Sequence, residues 1–242
     1  MKIFTNEIFF LLKNGKLNNK HNVNTIQSLK DSVVIFLFSY IINITIGSTI
    51  LILSRHFNIV IPKNETLTAL FEKNIFSIIF TIIILAPMFE EILFRVSLKY
   101  SLKNLTLMLT FIFYLVSGAI AFPFENVFNI VIRSIISILF GLLFYILINR
   151  SIKLKSMIEI FWLRHTKFIF YMSILLFGLS HLLNYPINIK LLLYIPLLTL
   201  SQIFSGIILG YVRLKYGIIY SFFIHASKNT ISVLTAIALT HQ

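Results

Sequence analysis

The sequence predicts an all-α, polytopic transmembrane bundle of about seven spans, with material for an eighth. Three observations carry this. Of the 242 residues 58% are hydrophobic and only 12% charged, and the mean hydropathy is +0.92; soluble domains are roughly 25% charged. The apolar residues gather into runs of about 20, the length that crosses a hydrocarbon core of about 30 Å, and there are too many for one soluble core. The runs do not alternate with period two, as the strands of an outer-membrane barrel do.

The elements follow in order. Residues 1–31 hold five lysines and an apolar patch at 8–12 that is too short to span, so they are expected to form a cytoplasmic basic arm with an interfacial helix. No small-residue cleavage site follows the patch, and no cleavable leader is expected. Residues 32–242 are expected to form one transmembrane domain, with spans at 32–54, 75–98, 104–122, 127–149, 168–185, 191–212 and 217–239. The second and third runs form one hairpin and the third and fourth another. An eighth span built from the arm would carry Lys13 and Lys16 into lipid.

The net charge of +13 would suit a nucleic acid, but the basic residues lie in short connections between apolar runs rather than on a basic domain. Lipid is therefore the expected partner, and nucleic acid is not. With the N-terminus inside, 14 of the 21 Lys and Arg residues fall in cytoplasmic segments, four on the opposite side and three within spans, the asymmetry that sets orientation. The chain has no cysteine, which excludes disulfides, thiolate catalysis and cysteine-ligated metals.

Charged residues within spans are costly, by roughly 2.5–3.5 kcal/mol each on insertion scales, and they mark interior or water-lined positions. The ionisable ones here are Glu90, Glu91, Arg95, Arg133, His181, His225 and Lys228, with the amide Asn229 beside the last. In "LAPMFEEILFR", Glu91 and Arg95 are four apart and are expected to neutralise each other on one helix face. Glu90, about 100° round the helix, is left to face other helices. A desolvated carboxylate is a stronger base than a hydrated one, so Glu90 is the candidate general base. Pro87 removes a backbone donor and can kink the helix to admit water.

In "HASKN", His225 and Asn229 share a face and can donate toward one point. In "FGLSH", Phe177 and His181 repeat the spacing, with Gly178 allowing close approach. Glu90 and His225 each lie about 12 Å in from the cytoplasmic end of their runs, and His181 lies somewhat deeper. Arg133, nearer the outer end, is expected to reach the interface, and Lys228 to snorkel or line a cavity. Gly206 and Gly210 read as close helix packing.

Together EExxxR (Glu90, Glu91, Arg95), FxxxH (Phe177, His181) and HxxxN (His225, Asn229), in this order on separate spans, resemble the CAAX protease and bacteriocin-processing (CPBP, Abi) family of intramembrane glutamic endopeptidases. The resemblance covers about residues 75–239. It implies a bacterial plasma-membrane peptidase needing no metal. Glu90 and His181 would activate water, His225 and Asn229 would hold the oxyanion, and Glu91, Arg95 and Phe177 would support them. The substrate would be a peptide or membrane-associated protein, with bacteriocin or pheromone precursors preferred over prenylated CAAX proteins. Two departures stand out: Glu90 and His181 are 91 residues apart, leaving room for two extra spans, and Val96 occupies a position where the family favours glycine.

Other classes compete. A bacteriocin-immunity protein or membrane scaffold would need no chemistry from these residues. Glu90, His181 and His225 are of the types that ligate Zn²⁺, but no HExxH occurs and no cofactor is expected. A proton-coupled transporter would also bury such groups.

Overall fold

In the computed structural model, which describes residues 2–17, 24–62, 64, 76, 79–121, 126–186 and 191–240, polar side chains open four of the helices. Oxygens of Asn24, Ser101, Asn126 and Ser151 accept from the backbone N–H of Ile26, Asn104, Asn129 and Leu154, the N-cap bond that satisfies an orphan donor of the first turn. The helices are α1 (Lys2–Asn14), α2 (Thr25–His56), α3 (Ala86–Phe94), α4 (Leu102–Ile120), α5 (Val127–Arg150), α6 (Ile152–Arg164), α7 (Thr166–Ser180), α8 (Leu191–Lys215) and α9 (Ile218–Thr240). A π-helical stretch, Ile79–Leu85, leads into α3, and 3₁₀ turns occupy Val96–Leu98 and His181–Asn184. No strand occurs among the described residues.

Among the described residues five helices are long and apolar enough to cross a bilayer: α2, α4, α5, α7 with its 3₁₀ extension, and α8. The other two expected runs are more polar or broken. The run at 75–98 is π-helical, then α-helical only to Phe94, and its residues 75, 77 and 78 lie outside the described ones. The 23 residues of α9 include Ser221, His225, Ser227, Lys228, Asn229 and Ser232, which dilute its hydropathy. Much of the outer surface is aliphatic, for example Leu139, Leu142, Leu143 and Ile146 of α5, all exposed. Such a face is a liability in water and compatible with lipid.

The N-terminal segment is built into the bundle. Leu11 of α1 is fully buried, Phe4 meets Tyr211 edge-on at 5.1 Å, and Glu7 Oε2 accepts from Tyr211 Oη at 2.5 Å and Lys215 Nζ at 2.6 Å. Gly15 has φ +69°, and a Cβ there would lie 2.2 Å from Lys167 Cα, so only glycine lets the turn close against the start of α7. α2 begins at Thr25, inside the segment expected to be an arm. The connection 151–167 contains α6, whose Trp162 Nε1 donates to Ser97 O at 3.0 Å.

α8 is the axis of the fold. Its buried face, from Ser205 to Arg213, packs with Ile35 of α2, Phe94, Phe170, Ile174 and Phe177 of α3 and α7, and Ile224 of α9. Gly210 permits the α7 contact, since a Cβ there would lie 2.9 Å from Phe170 Cε2. At Gly178 a Cβ would meet Ile203 of α8 at 2.6 Å, so the close approach anticipated there is to a neighbouring helix. α4 and α5 form the expected hairpin, with Phe113 stacked on Phe140 at 4.5 Å. Arg133 does not reach the interface. It is fully buried in that hairpin, donating to Tyr114 O at 2.7 Å with its guanidinium 4.2 Å from the Tyr114 ring centre; Gly118 supplies the space, a Cβ there falling 2.0 Å from Arg133 Nη2.

The hairpin sits beside α3, touching it through Phe111 and Phe89 at 4.9 Å. α3 is thereby left free to pack on α7, where Phe94 and Phe177 meet at 5.7 Å. The C-terminal end of α3 is tied by three neighbours. Ser173 Oγ donates to Phe94 O at 2.5 Å, Arg213 Nε and Nη2 donate to Arg95 O and Val96 O at 3.1 Å each, and Trp162 holds Ser97. Arg95 O also closes the 3₁₀ turn with Leu98 N–H at 3.1 Å; carbonyls at a helix end otherwise run out of α-helical donors, and a cation there also suits the negative end of the helix.

Arg213→Met is therefore expected to lower stability by about 3 kcal/mol, because two charge-assisted bonds are lost and the Val96 carbonyl loses its side-chain donor, while Arg95 O keeps Leu98 N–H. Arg213→Lys should recover less than half, since an ammonium cannot reproduce the guanidinium fork. Thermal unfolding in detergent micelles measures both.

Candidate active site

The three sequence motifs converge on one ring. Phe177 of α7 is fully buried and presents an edge-to-face contact to His181 at 4.9 Å and to His225 at 5.6 Å. The Arg95 guanidinium lies 3.9 Å from the same ring's centre, a cation–π arrangement. Gly206 of α8 leaves room behind it, since a Cβ there would lie 3.3 Å from Phe177 Cδ1 and 3.5 Å from Arg95 Nη2.

α3 delivers both carboxylates to the imidazole of His225 on α9. Its Nδ1 bonds Glu91 Oε1 at 3.1 Å, and its Nε2 lies 3.4 Å from Glu90 Oε2. Glu91 is 2% exposed, whereas the Glu90 side chain is 26% exposed although its Oε2, which faces the imidazole, is buried, so the imidazole bridges a sealed carboxylate and a partly exposed one. Ser221 Oγ, one turn before His225, completes Glu91 by lying 2.5 Å from its Oε2, and 3.1 Å from Leu209 O. A hydroxyl has one proton to donate, and the carboxylate at 2.5 Å is the stronger acceptor.

This corrects the expected Glu91–Arg95 pair. No ion pair joins them within 4.0 Å; the Glu91 oxygens face His225 and Ser221, and the three guanidinium nitrogens of Arg95 have no hydrogen-bond partner among the described residues. The physical reason is the end of the helix. α3 stops at Phe94, and Arg95 has φ −115° and ψ −29°, outside the regular turn on which the four-residue rule depends. Its side chain is free to swing onto Phe177.

His181 caps α7 and opens the 3₁₀ turn, with Nδ1 2.8 Å from Phe177 O. A ring nitrogen bonded to a carbonyl must carry the proton, so in the neutral ring Nε2 is the acceptor. Among the described residues no hydrogen bond joins His181 to Glu90; Phe177 stands between the two imidazoles instead. Asn229 Nδ2 donates to Ile82 O at 2.9 Å. Pro87 has no N–H, so the carbonyl five residues earlier, Ile82, lacks its π-helical partner, and Asn229 supplies the missing donor. One amide hydrogen remains for any other use.

Ser221, Arg213, Ser205 and Asn43 were not singled out in the sequence. Ser221 had a signal, since it continues the four-residue spacing of His225 and Asn229 backward along α9; the others are brought in by neighbouring helices. No group of three His, Asp or Glu residues is arranged to hold a metal ion among the described residues.

No protein-family model matches this chain, and no curated protein or solved structure is detectably similar to it. The site must therefore be read from its own geometry.

Asn229→Ala is expected to leave the Ile82 carbonyl orphaned, at about 1–3 kcal/mol. Hydrogen exchange should accelerate across residues 79–86 while α7 and α8 keep their protection. Unchanged exchange there would mean that the Asn229 contact does not hold the π-helical stretch.

Proposed function

We propose that this chain is an intramembrane endopeptidase of a bacterial plasma membrane, with its N-terminus cytoplasmic and seven crossings completed by α9 and by α3 with its π-helical lead. It hydrolyses a bond in a peptide or membrane-associated protein. The observation that carries the reading is the imidazole of His225 held between Glu90 and Glu91. Buried interhelical hydrogen bonding alone would need one carboxylate. The second, Glu90, is the partly exposed one.

The chemistry follows from the arrangement. Glu91 and Ser221 fix His225 with Nδ1–H toward Glu91, so Nε2 faces Glu90 and whatever is bound beside it. With a proton on Nε2, the imidazole is a donor for a developing oxyanion, and Glu90 is the base for a water molecule. Water oxygen bonds to the scissile carbonyl carbon as its proton passes to Glu90. The C–N bond then breaks as Glu90 returns that proton to the leaving amine. His181 Nε2, an acceptor on the far edge of Phe177, suits orientation of the water. No step calls for a metal or cofactor.

The competing reading is a non-enzymatic immunity protein or membrane scaffold of the same family. The Asn229 bond to Ile82 favours it, because that donor is half committed to holding the backbone.

Glu90→Gln separates the two. Cleavage of a reporter peptide by the purified chain should fall by about 10²–10⁴-fold, the usual contribution of a positioned base, and His181→Ala should also abolish it while the fold persists. Comparison of the membrane proteome of wild-type cells with that of Glu90→Gln cells should reveal an accumulating uncleaved precursor. Full activity in both variants, or immunity conferred equally by Glu90→Gln, would sink the enzymatic reading.

A further inference from the structure

A cavity of about 430 Å³ opens beside the site, between α2, α7, α8 and α9, within the roughly 300–1,000 Å³ typical of small-ligand pockets. One wall is Phe177, His225 and Asn229; another is Asn43, Ser205 and Lys228. The second wall takes no part in the hydrolysis outlined above.

Its polar groups are incompletely matched. Lys228 is 8% exposed, yet no carboxylate pairs with it among the described residues, and its ammonium bonds only a neutral oxygen, Ser205 Oγ, at 3.3 Å. Ser205 Oγ also accepts from Asn43 Nδ2 at 2.9 Å, so both lone pairs are engaged and its own proton is left to donate. Asn43 Oδ1 is buried with no hydrogen-bond partner. A buried charge without a counter-charge is costly to keep, and an anionic ligand is what would offset it.

The geometry points to a carboxylate subsite for the peptide substrate: Lys228 Nζ and the Ser205 hydroxyl receive the carboxylate, and Asn43 Oδ1 accepts an N–H of the same residue. The nature of the ligand rests on the peptidase reading. The Asn43 oxygen is what selects a carboxylate over a phosphate, because it would face a further anionic oxygen of a phosphate but suits the amide next to a carboxylate. Lys228 is three residues from His225, about 4.5 Å along α9, and an extended residue spans about 3.3–3.6 Å. With the reach of the Lys228 side chain added, the recognised carboxylate lies a few residues from the cleaved bond, so a C-terminal carboxylate would be that of the short fragment the endopeptidase releases.

The test uses the full chain in lipid nanodiscs and a pooled library of internally quenched octapeptides in three forms: free C-terminal acid, C-terminal amide, and amide with Glu as the penultimate residue. Thermal shift reads binding and mass spectrometry reads cleavage. The acid pool is expected to raise the melting temperature and to be cleaved at least tenfold more efficiently than the amide, the difference lying in KM. Lys228→Gln should erase that preference while raising the melting temperature of the free protein, and Lys228→Arg should keep part of it. Preference restored by the Glu-containing amide assigns the subsite to a side-chain carboxylate. Equal behaviour of acid and amide in the wild type, or a preference that survives Lys228→Gln, overturns the proposal. So does a shift produced by phosphatidylglycerol and not by peptides. An acid-selective shift lost in Lys228→Gln, with no peptide cleaved, upholds the subsite and overturns the peptidase reading instead.

Discussion

The contact between Glu91 and His225 is the constraint on which the centre of this molecule turns. A carboxylate buried that deeply is tolerable only with partners on its oxygens, and here they come from one face of α9: the imidazole on Oε1 and the Ser221 hydroxyl near Oε2. The pair fixes the rotation of α3 against α9. It also decides what remains: with Glu91 occupied on the inner side, Glu90 is turned to the more open side of the same imidazole.

Such an arrangement needs a short, rigid α3, and much of the surrounding structure serves that need. Pro87 breaks the backbone ladder at the start, and Asn229 takes up the carbonyl it leaves free. Ser173, Arg213 and Trp162, from three different helices, hold the carbonyls at the other end. Polar residues from α6, α7, α8 and α9 thus act as backbone caps on α3, a use of hydrogen bonding that suits an apolar surrounding where no water can substitute.

The α4–α5 hairpin accounts for the long separation between the first two motifs. Because it enters and leaves on one side, it packs laterally on α3 and does not intervene between α3 and α7, so Phe94 still meets Phe177. Arg133 is spent within that hairpin, and Lys228 lines the cavity between α2, α7, α8 and α9.

The sequence by itself determined the all-helical class, the apolar helices and the positions worth attention, because hydropathy over 20 residues and four-residue spacing are local properties of the chain. It placed Phe177 with His181 and His225 with Asn229 on shared faces, and Glu90 about 100° round the helix from Glu91. The partners were a different matter. Glu91 and Arg95 satisfied the spacing rule for an ion pair, but that rule holds only while the helix continues, and α3 ends between them. Asn229 read as a free donor because nothing local reveals that Pro87, 142 positions earlier, orphans a carbonyl within its reach. Which side chain meets which charge was decided only by tertiary structure, since a buried ionisable group takes the best partner that packing brings to it, from whatever distance along the chain.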